Sequence, residues 1–271
     1  MNKIIKKDFL SENVFRIEIE APRIAQSRRA GHFVIIRVCE GGERIPLTIT
    51  DADKTCGTIT LIIQIVGCTT AKLSKLNEGD YISDVVGPLG NATHVENVGT
   101  VLCAGGGVGI APLYPIVQEY KRKGNRVVTV LAARNAELLI LQKEISEFSD
   151  NVIIMTDDGS LGKKGLITDG MEEAIQREKI NQAVVIGPAV MMKFAAMTTK
   201  KYHIPTMASL NTIMVDGTGM CGACRCTVDG KTKFVCVDGP EFDAHQVNFD
   251  EMLQRLGAYK EEESFRFLVS S

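Results

Sequence analysis

Four cysteines crowd the C-terminal part of the chain: Cys221, Cys224, Cys226 and Cys236. Cys221-Gly-Ala-Cys224 is a C-x2-C pair, and Cys236 follows after eleven intervening residues. Plant-type [2Fe–2S] sites use C-x4-C-x2-C followed by a distant fourth cysteine. Four residues separate Asp216 from Cys221, so Asp216 occupies the first ligand position. The spacing therefore predicts Asp216, Cys221, Cys224 and Cys236 as donors to a [2Fe–2S] cluster. Gly217, Gly219 and Gly222 let the backbone turn tightly around it and aim N–H groups at its sulfides. Two rival readings exist. C-x2-C pairs also hold structural zinc, here with Cys221, Cys224, Cys226 and Cys236. Asp216-Gly217 is also a good turn dipeptide. In that case Cys226, on the same face as Cys224 in an extended segment, takes the place of Asp216.

A second constellation lies at residues 101–112. The apolar run Val101-Leu102-Cys103-Ala104 is followed by Gly105-Gly106-Gly107-Val108-Gly109-Ile110-Ala111-Pro112 and then a helical pattern. A glycine turn between strand and helix presents free N–H groups and a helix dipole to a pyrophosphate. Gly107 and Gly109 supply G-x-G, and Pro112 stands at the third glycine position. No acidic residue closes the second strand to hold a ribose. Ala132-Ala133-Arg134-Asn135 stands there instead, and Arg134 suits stacking on an adenine or meeting a 2′-phosphate. NAD(H) and NADP(H) both stay open. The scattered Cys39, Cys56, Cys68 and Cys103 read as small buried hydrophobes, and the four histidines show no ligand spacing.

These groups must be positioned by ordinary globular structure. The 271 residues are 45% hydrophobic and 24% charged, which excludes a disordered tail, a collagen-like repeat or a coiled coil. At roughly 150 residues per domain the length suggests two domains, or three if one is small. The formal net charge of −2 leaves no basic excess for nucleic acid. The longest uncharged stretch, 97–118, is broken by glycines and prolines, so no membrane span is expected. Residues 1–10 carry lysines and no long apolar core, unlike a signal peptide. The chain is expected in the cytoplasm, where clustered cysteines point to metal or redox chemistry rather than disulfides.

Three zones follow. Residues 1–97 hold short strands at 14–20, 32–38, 58–66 and 81–86 with a small helix at 70–76. That pattern predicts a closed or nearly closed antiparallel β-barrel. Residues 98–208 alternate apolar runs (100–104, 127–133, 152–155, 183–186) with helical stretches (112–123, 136–148, 167–178, 190–203). That is the signature of a Rossmann-like parallel sheet covered on both faces. Residues 209–271 are short and acidic, with 6 Lys+Arg against 10 Asp+Glu. After Asn248, a helix cap, Phe249, Met252, Leu253, Leu256 and Tyr259 share one helical face, suited to this chain's own core or to a partner.

Barrel, glycine turn, Gly187-Pro188 and iron–sulfur loop, in that order, resemble the ferredoxin–NADP reductase superfamily. Within it the chain resembles the electron-transfer subunits of dihydroorotate dehydrogenase. It is still more similar to the small subunits of electron-bifurcating NADH-dependent ferredoxin:NADP oxidoreductases, a group that includes sulfide dehydrogenase beta subunits. The likeness covers nearly the whole chain. Asp216 and Val237-Asp238-Gly239-Pro240-Glu241-Phe242-Asp243 favour this last group.

The resemblance implies FAD in the barrel, held by Arg44, Pro46, Leu47 and Thr48. The Thr48 hydroxyl then falls at flavin N5 and Leu47 at the usual aromatic position. Ile63, Gln64 and Ile65 would follow the isoalloxazine edge, and Gly67, Thr69 and Thr70 would meet the pyrophosphate. For the nicotinamide nucleotide it implies Gly106, Gly107, Val108, Gly109, Arg134, Asp157, Asp158, Gly187, Pro188 and Met191. Ile186 stands where many relatives carry a cysteine. The implied function is hydride transfer between NAD(H) and FAD and single-electron transfer between FAD and the cluster. The electrons pass toward a larger flavin and iron–sulfur partner subunit, and through it to ferredoxin. Alternatives are the electron-transfer subunit of dihydroorotate dehydrogenase and a non-catalytic zinc module.

Overall fold

A computed structural model describes residues 1–259. Its N-terminal part runs β1 (Asn2–Ser11), β2 (Val14–Glu20), α1 (Pro22–Ser27), β3 (Phe33–Arg37), β4 (Arg44–Thr48), β5 (Asp51–Asp53), β6 (Thr58–Gln64), α2 (Cys68–Ser74), β7 (Tyr81–Ile82) and β8 (Asp84–Leu89). All pairings here are antiparallel, in a five-stranded sheet β5-β6-β2-β1-β7 and a three-stranded sheet β4-β3-β8. Alternation in β2 sends Phe15, Ile17 and Ile19 inward, where they meet Ile36, Ile59 and Leu61 in one apolar cluster. Each such side chain withdrawn from water contributes on the order of 1.5–3 kcal/mol.

Sequence patterning does not reveal β1, because Lys3, Lys6 and Lys7 break its alternation. Its backbone is nonetheless paired with β2 and β7. The expected strand at 81–86 divides at Ser83, giving β7 to the larger sheet and β8 to the smaller. The short α1 also escapes the pattern, although Pro22 opens its first turn, where a missing N–H costs nothing.

The next part holds β9 (Thr100–Gly106), α3 (Ile110–Arg122), β10 (Arg126–Ala133), α4 (Gln142–Ser146), β11 (Asn151–Thr156), β12 (Lys163–Lys164), α5 (Ile167–Arg177), β13 (Gln182–Ile186), α6 (Ala189–Lys201) and β14 (Thr206–Ser209). The sheet order is β12-β11-β10-β9-β13-β14-β17, where β17 (Glu241–Asp243) comes from the C-terminal part, and all pairings are parallel except that of β17. Strands β9, β10 and β13 are almost wholly buried, as both faces of a parallel sheet require. Since β10 lies on one side of β9 and β13 on the other, the glycine turn after β9 opens at a topological switch point.

The expected helix at 136–148 is a correction. A single 3-10 turn spans Ala136–Leu138, capped by the Asn135 side chain. Leu141 then takes a left-handed φ of 55° before α4 starts. Leu139, Ile140 and Leu141 turn in toward the apolar cluster around α3, and a straight helix would not allow that.

The last part holds a hairpin of β15 (Arg225–Val228) and β16 (Lys231–Phe234), then α7 (Val235–Asp238), β17 (Glu241–Asp243) and α8 (Phe249–Leu256). Strand β17 adds antiparallel to β14, so the chain after the cysteines closes the edge of the nucleotide-type sheet. The Asn248 side chain caps α8 by accepting from Glu251 N–H at 3.1 Å. Phe249 and Met252 are buried, with Leu253 and Leu256 packed beside them, while Tyr259 is exposed. The apolar stripe is therefore used within this chain, against its own core. No helix among the described residues is long and apolar enough to cross a membrane.

Candidate cofactor cleft and cluster loop

A cleft of about 1180 Å³ lies between the N-terminal sheets and the C-terminal ends of β9, β10 and β13. Pro46, Leu47 and Thr48 line it from β4, Ile63 and Gln64 from β6, and Thr70 from α2. Facing them are Gly106, Gly107, Val108 and Gly109, with Arg134 and Asp157 further along and Gly187, Pro188 and Met191 beyond β13. The glycines are needed for different reasons. Gly107 has a φ of 56°, which side chains rarely adopt. A Cβ on Gly109 would come within 2.7 Å of both Gly187 Cα and the Ile186 carbonyl, so the turns after β9 and β13 are in backbone contact.

Five predicted residues lie off the cleft wall. Arg44 is exposed at the start of β4 and Ile65 packs beside the apolar cluster of the N-terminal sheets. Gly67 caps α2, where the Thr70 hydroxyl oxygen accepts from the N–H groups of Val66 and Gly67 at 3.0 and 3.1 Å. Thr69 donates to Glu43 at 2.8 Å. Asp158 accepts from Ser160 in its own loop. Conversely, Asn13, Thr50, Ile62, Leu210, Asn211 and Met214 line the cleft without having been singled out from sequence. Thr50 carries a local signal, since residues two apart on an extended chain share a face with Thr48. Residues 210–214 carry none, because they reach the cleft only through the placement of β14.

The cysteine loop sits against the small sheet. A Cβ on Gly217, whose φ is 81°, would strike Ile35 of β3 and Leu89 of β8. Of the four scattered cysteines only Cys103 is buried; Cys39 and Cys56, expected in the core, are exposed because they fall in turns between strands. Cys224 and Cys236 are both buried, with their sulfurs 3.2 Å apart. Cys221 is exposed, and backbone N–H groups of Ala223 and Asp216 hold its thiol below the usual range. Burial pushes the Cys236 thiol up. The Asp216 carboxylate turns back on its own loop. It accepts from Thr218 N–H at 2.9 Å, from the Thr218 hydroxyl and from Met220 N–H, and these bonds, helped by the Arg44 charge, hold it below the ordinary carboxylate range.

Among the described residues no three donors are already gathered within metal-holding distance. Two of the predicted four touch, and the other two lie on the same loop. Cys226 points into the apolar core from β15, and burial pushes its thiol up, as it does that of Cys236. Two buried soft sulfurs, a third aimed at by backbone N–H groups and an ionised carboxylate fit an iron–sulfur cluster. The largely apolar cleft with glycine turns on one wall and threonines on the other fits a flavin beside a nicotinamide nucleotide.

Antiparallel sheets, a parallel nucleotide-type sheet and a cysteine loop on one cleft define an electron-transferring oxidoreductase of the ferredoxin–NADP reductase fold. The chain belongs to the family of dihydroorotate dehydrogenase B electron transfer subunits and their homologues. Residues 104–197 match an oxidoreductase NAD-binding domain, and residues 211–248 match the iron–sulfur cluster binding domain of dihydroorotate dehydrogenase B. A dihydroorotate dehydrogenase B (NAD(+)) electron transfer subunit homolog from Thermotoga maritima is 49% identical, over 98% of this chain and 94% of that protein. A solved chain of an NADH-dependent reduced ferredoxin-NADP oxidoreductase, described for flavin-based electron bifurcation, superposes with a TM-score of 0.94. It is 47% identical, covering 99% of this chain and 97% of that one. A ferredoxin NADP+ reductase from Neisseria gonorrhoeae, 17% identical over 74% of this chain and 89% of its own, shares the fold with a TM-score of 0.59.

Proposed function

We propose that this chain is the NADH-side electron-transfer subunit of a flavin-based bifurcating oxidoreductase, binding FAD, NAD(H) and a [2Fe–2S] cluster. One observation carries this reading: the cleft wall bearing Thr48 belongs to the same small sheet on which the cysteine loop rests, while the glycine turn forms the opposite wall. When bound, FAD supplies two-electron exchange with the nicotinamide and one-electron exchange with the cluster.

The chain's residues bind and orient. Thr48 offers a hydroxyl to the flavin ring, and Pro46, Leu47, Ile63 and Gln64 shape its slot. Thr70 faces the flavin phosphates from the start of α2, with Gly67, Thr69 and Arg44 behind the wall there. Gly106–Gly109 present backbone N–H groups to the nucleotide phosphates, Arg134, Asp157 and Asp158 surround its adenosine half, and Gly187, Pro188 and Met191 close over its nicotinamide. Asp216, Cys221, Cys224 and Cys236 hold iron. No side chain is needed as a general acid or base. The electrons pass to a larger flavin and iron–sulfur subunit, and ferredoxin is reached through it, in the cytoplasm.

Anaerobic purification with its native partner tests this. The expected material is brown, contains flavin, iron and acid-labile sulfide, and bleaches on adding NADH. Colourless protein, or protein that NADH leaves unchanged, overturns the reading. A co-purifying dihydroorotate-oxidising chain would assign the subunit to dihydroorotate dehydrogenase, the alternative favoured by the names of its sequence relatives.

A further inference from the structure

Thr50 stands on the cleft wall two residues beyond Thr48 and is only 3% exposed. Its backbone is held from both sides. The N–H donates to the Thr60 carbonyl at 2.9 Å, and the carbonyl accepts from Arg28 Nη2 at 2.7 Å. The same Arg28 nitrogen also donates to the Ile49 carbonyl at 3.2 Å. Only the hydroxyl is left over, and it has no hydrogen-bond partner among the described residues. The wall around the cleft is otherwise largely apolar, with Val14, Ile62 and Pro112 contributing to it. Buried hydroxyls are almost always hydrogen-bonded, and leaving one unpaired is unfavourable where valine would fill the same shape. A threonine that lines the cleft with its main chain clamped and its hydroxyl buried without a partner is arranged to meet something that enters the cleft.

We propose that the Thr50 hydroxyl is a positioning group that donates a hydrogen bond to a carbonyl oxygen of a ring-borne amide in the cleft. Both the pyrimidine edge of a flavin and the carboxamide of a nicotinamide offer that chemistry. The assignment rests on the flavin and nicotinamide reading of the cleft. Arg28 serves it indirectly: by fixing the Ile49 and Thr50 carbonyls it sets the direction of the side chain.

The test compares Thr50→Val and Thr50→Ser with the wild type in the full-length, flavin-loaded protein. The readouts are flavin absorbance and midpoint potential without nucleotide, and kcat and KM for NADH with an artificial acceptor. If the partner is the flavin, Thr50→Val changes the flavin spectrum and potential before NADH is added. If it is the nicotinamide, the nucleotide-free flavin is unchanged and KM for NADH rises about tenfold, the loss of one net hydrogen bond. In either case Thr50→Ser restores wild-type behaviour, which a packing role for the methyl group would not produce. A flavin-loaded Thr50→Val protein that matches the wild type in spectrum, potential, kcat and KM overturns the assignment alone. A wild-type chain that binds no flavin overturns the reading beneath it, and this assignment with it.

Discussion

Asp216 shows how one residue can serve two structural ends. Its carboxylate already accepts bonds from Thr218 and Met220, which shape the loop, yet it stands where related sites place a thiolate. An oxygen donor is harder than sulfur, and cluster potential follows ligand type and hydrogen bonding. Asp216→Cys is therefore expected to retain the cluster while shifting its midpoint potential in a redox titration; identical potentials would retire Asp216 as a ligand. Glu241 is a different case. Burial pushes its carboxyl up to about 7 against the pull of a hydrogen bond donated by Thr93 at 2.5 Å. The folded state thus holds this proton where the unfolded chain, near the ordinary glutamate value of 4.5, has lost it. Stability from this group is full below pH 4.5 and is lost as pH rises through about 7. Glu241→Gln should flatten that part of the profile, raising the melting temperature relative to wild type more at pH 8 than at pH 5. Parallel profiles would argue against a buried acid.

Among the elements, the turn from β9 into α3 is the most constrained. Gly109 touches the backbone of the Ile186-Gly187 turn, so an added methyl group has no flexible side chain to displace. Gly109→Ala is expected to separate the two turns that form the nucleotide wall. Overpacking of this kind costs about 1–3 kcal/mol, and NADH affinity should fall by at least about tenfold, read by titrating flavin or nucleotide fluorescence. Gly107→Ala is strained by its φ of 56° but meets nothing within 4 Å, so it should cost less. Binding unchanged in Gly109→Ala would show that the two turns do not act as one wall. The elements also mark where sequence patterning fails. The interrupted helix at 136–148 reads as helix because its apolar residues recur at helical spacing, but those residues are spent on turning the chain toward α3.

At the level of the molecule, the segment after Cys236 is stitched to the link between the antiparallel and parallel sheets. Asn91 N–H donates to the Gly239 carbonyl at 2.7 Å, its side chain donates to the Val237 carbonyl at 3.1 Å, and Thr93 donates to Glu241. These bonds join all three parts at one point close to the cysteine loop. Replacing Asn91 and Thr93 together by Ala and Val is expected to increase hydrogen exchange in residues 217–222 and 237–241 while leaving β9 and β10 protected. Exchange confined to residues 91–93 would show that the link does not restrain the loop.

The cysteine spacing and the glycine turn are written in the order of residues, because donor sets and phosphate turns are local and their geometry depends on a few neighbours. The alternation of β2 and the apolar runs of β9, β10 and β13 are likewise local, since each reflects which face meets water. Pairing and proximity are not of that kind. That β1 joins the sheet despite its lysines, that β17 closes the far edge beside β14, that Leu210, Asn211 and Met214 reach the cleft, and that Thr50 ends there with an unpaired hydroxyl all depend on contacts between residues far apart in the chain. Such contacts are set by how the sheets pack, and no window of neighbouring residues carries that information.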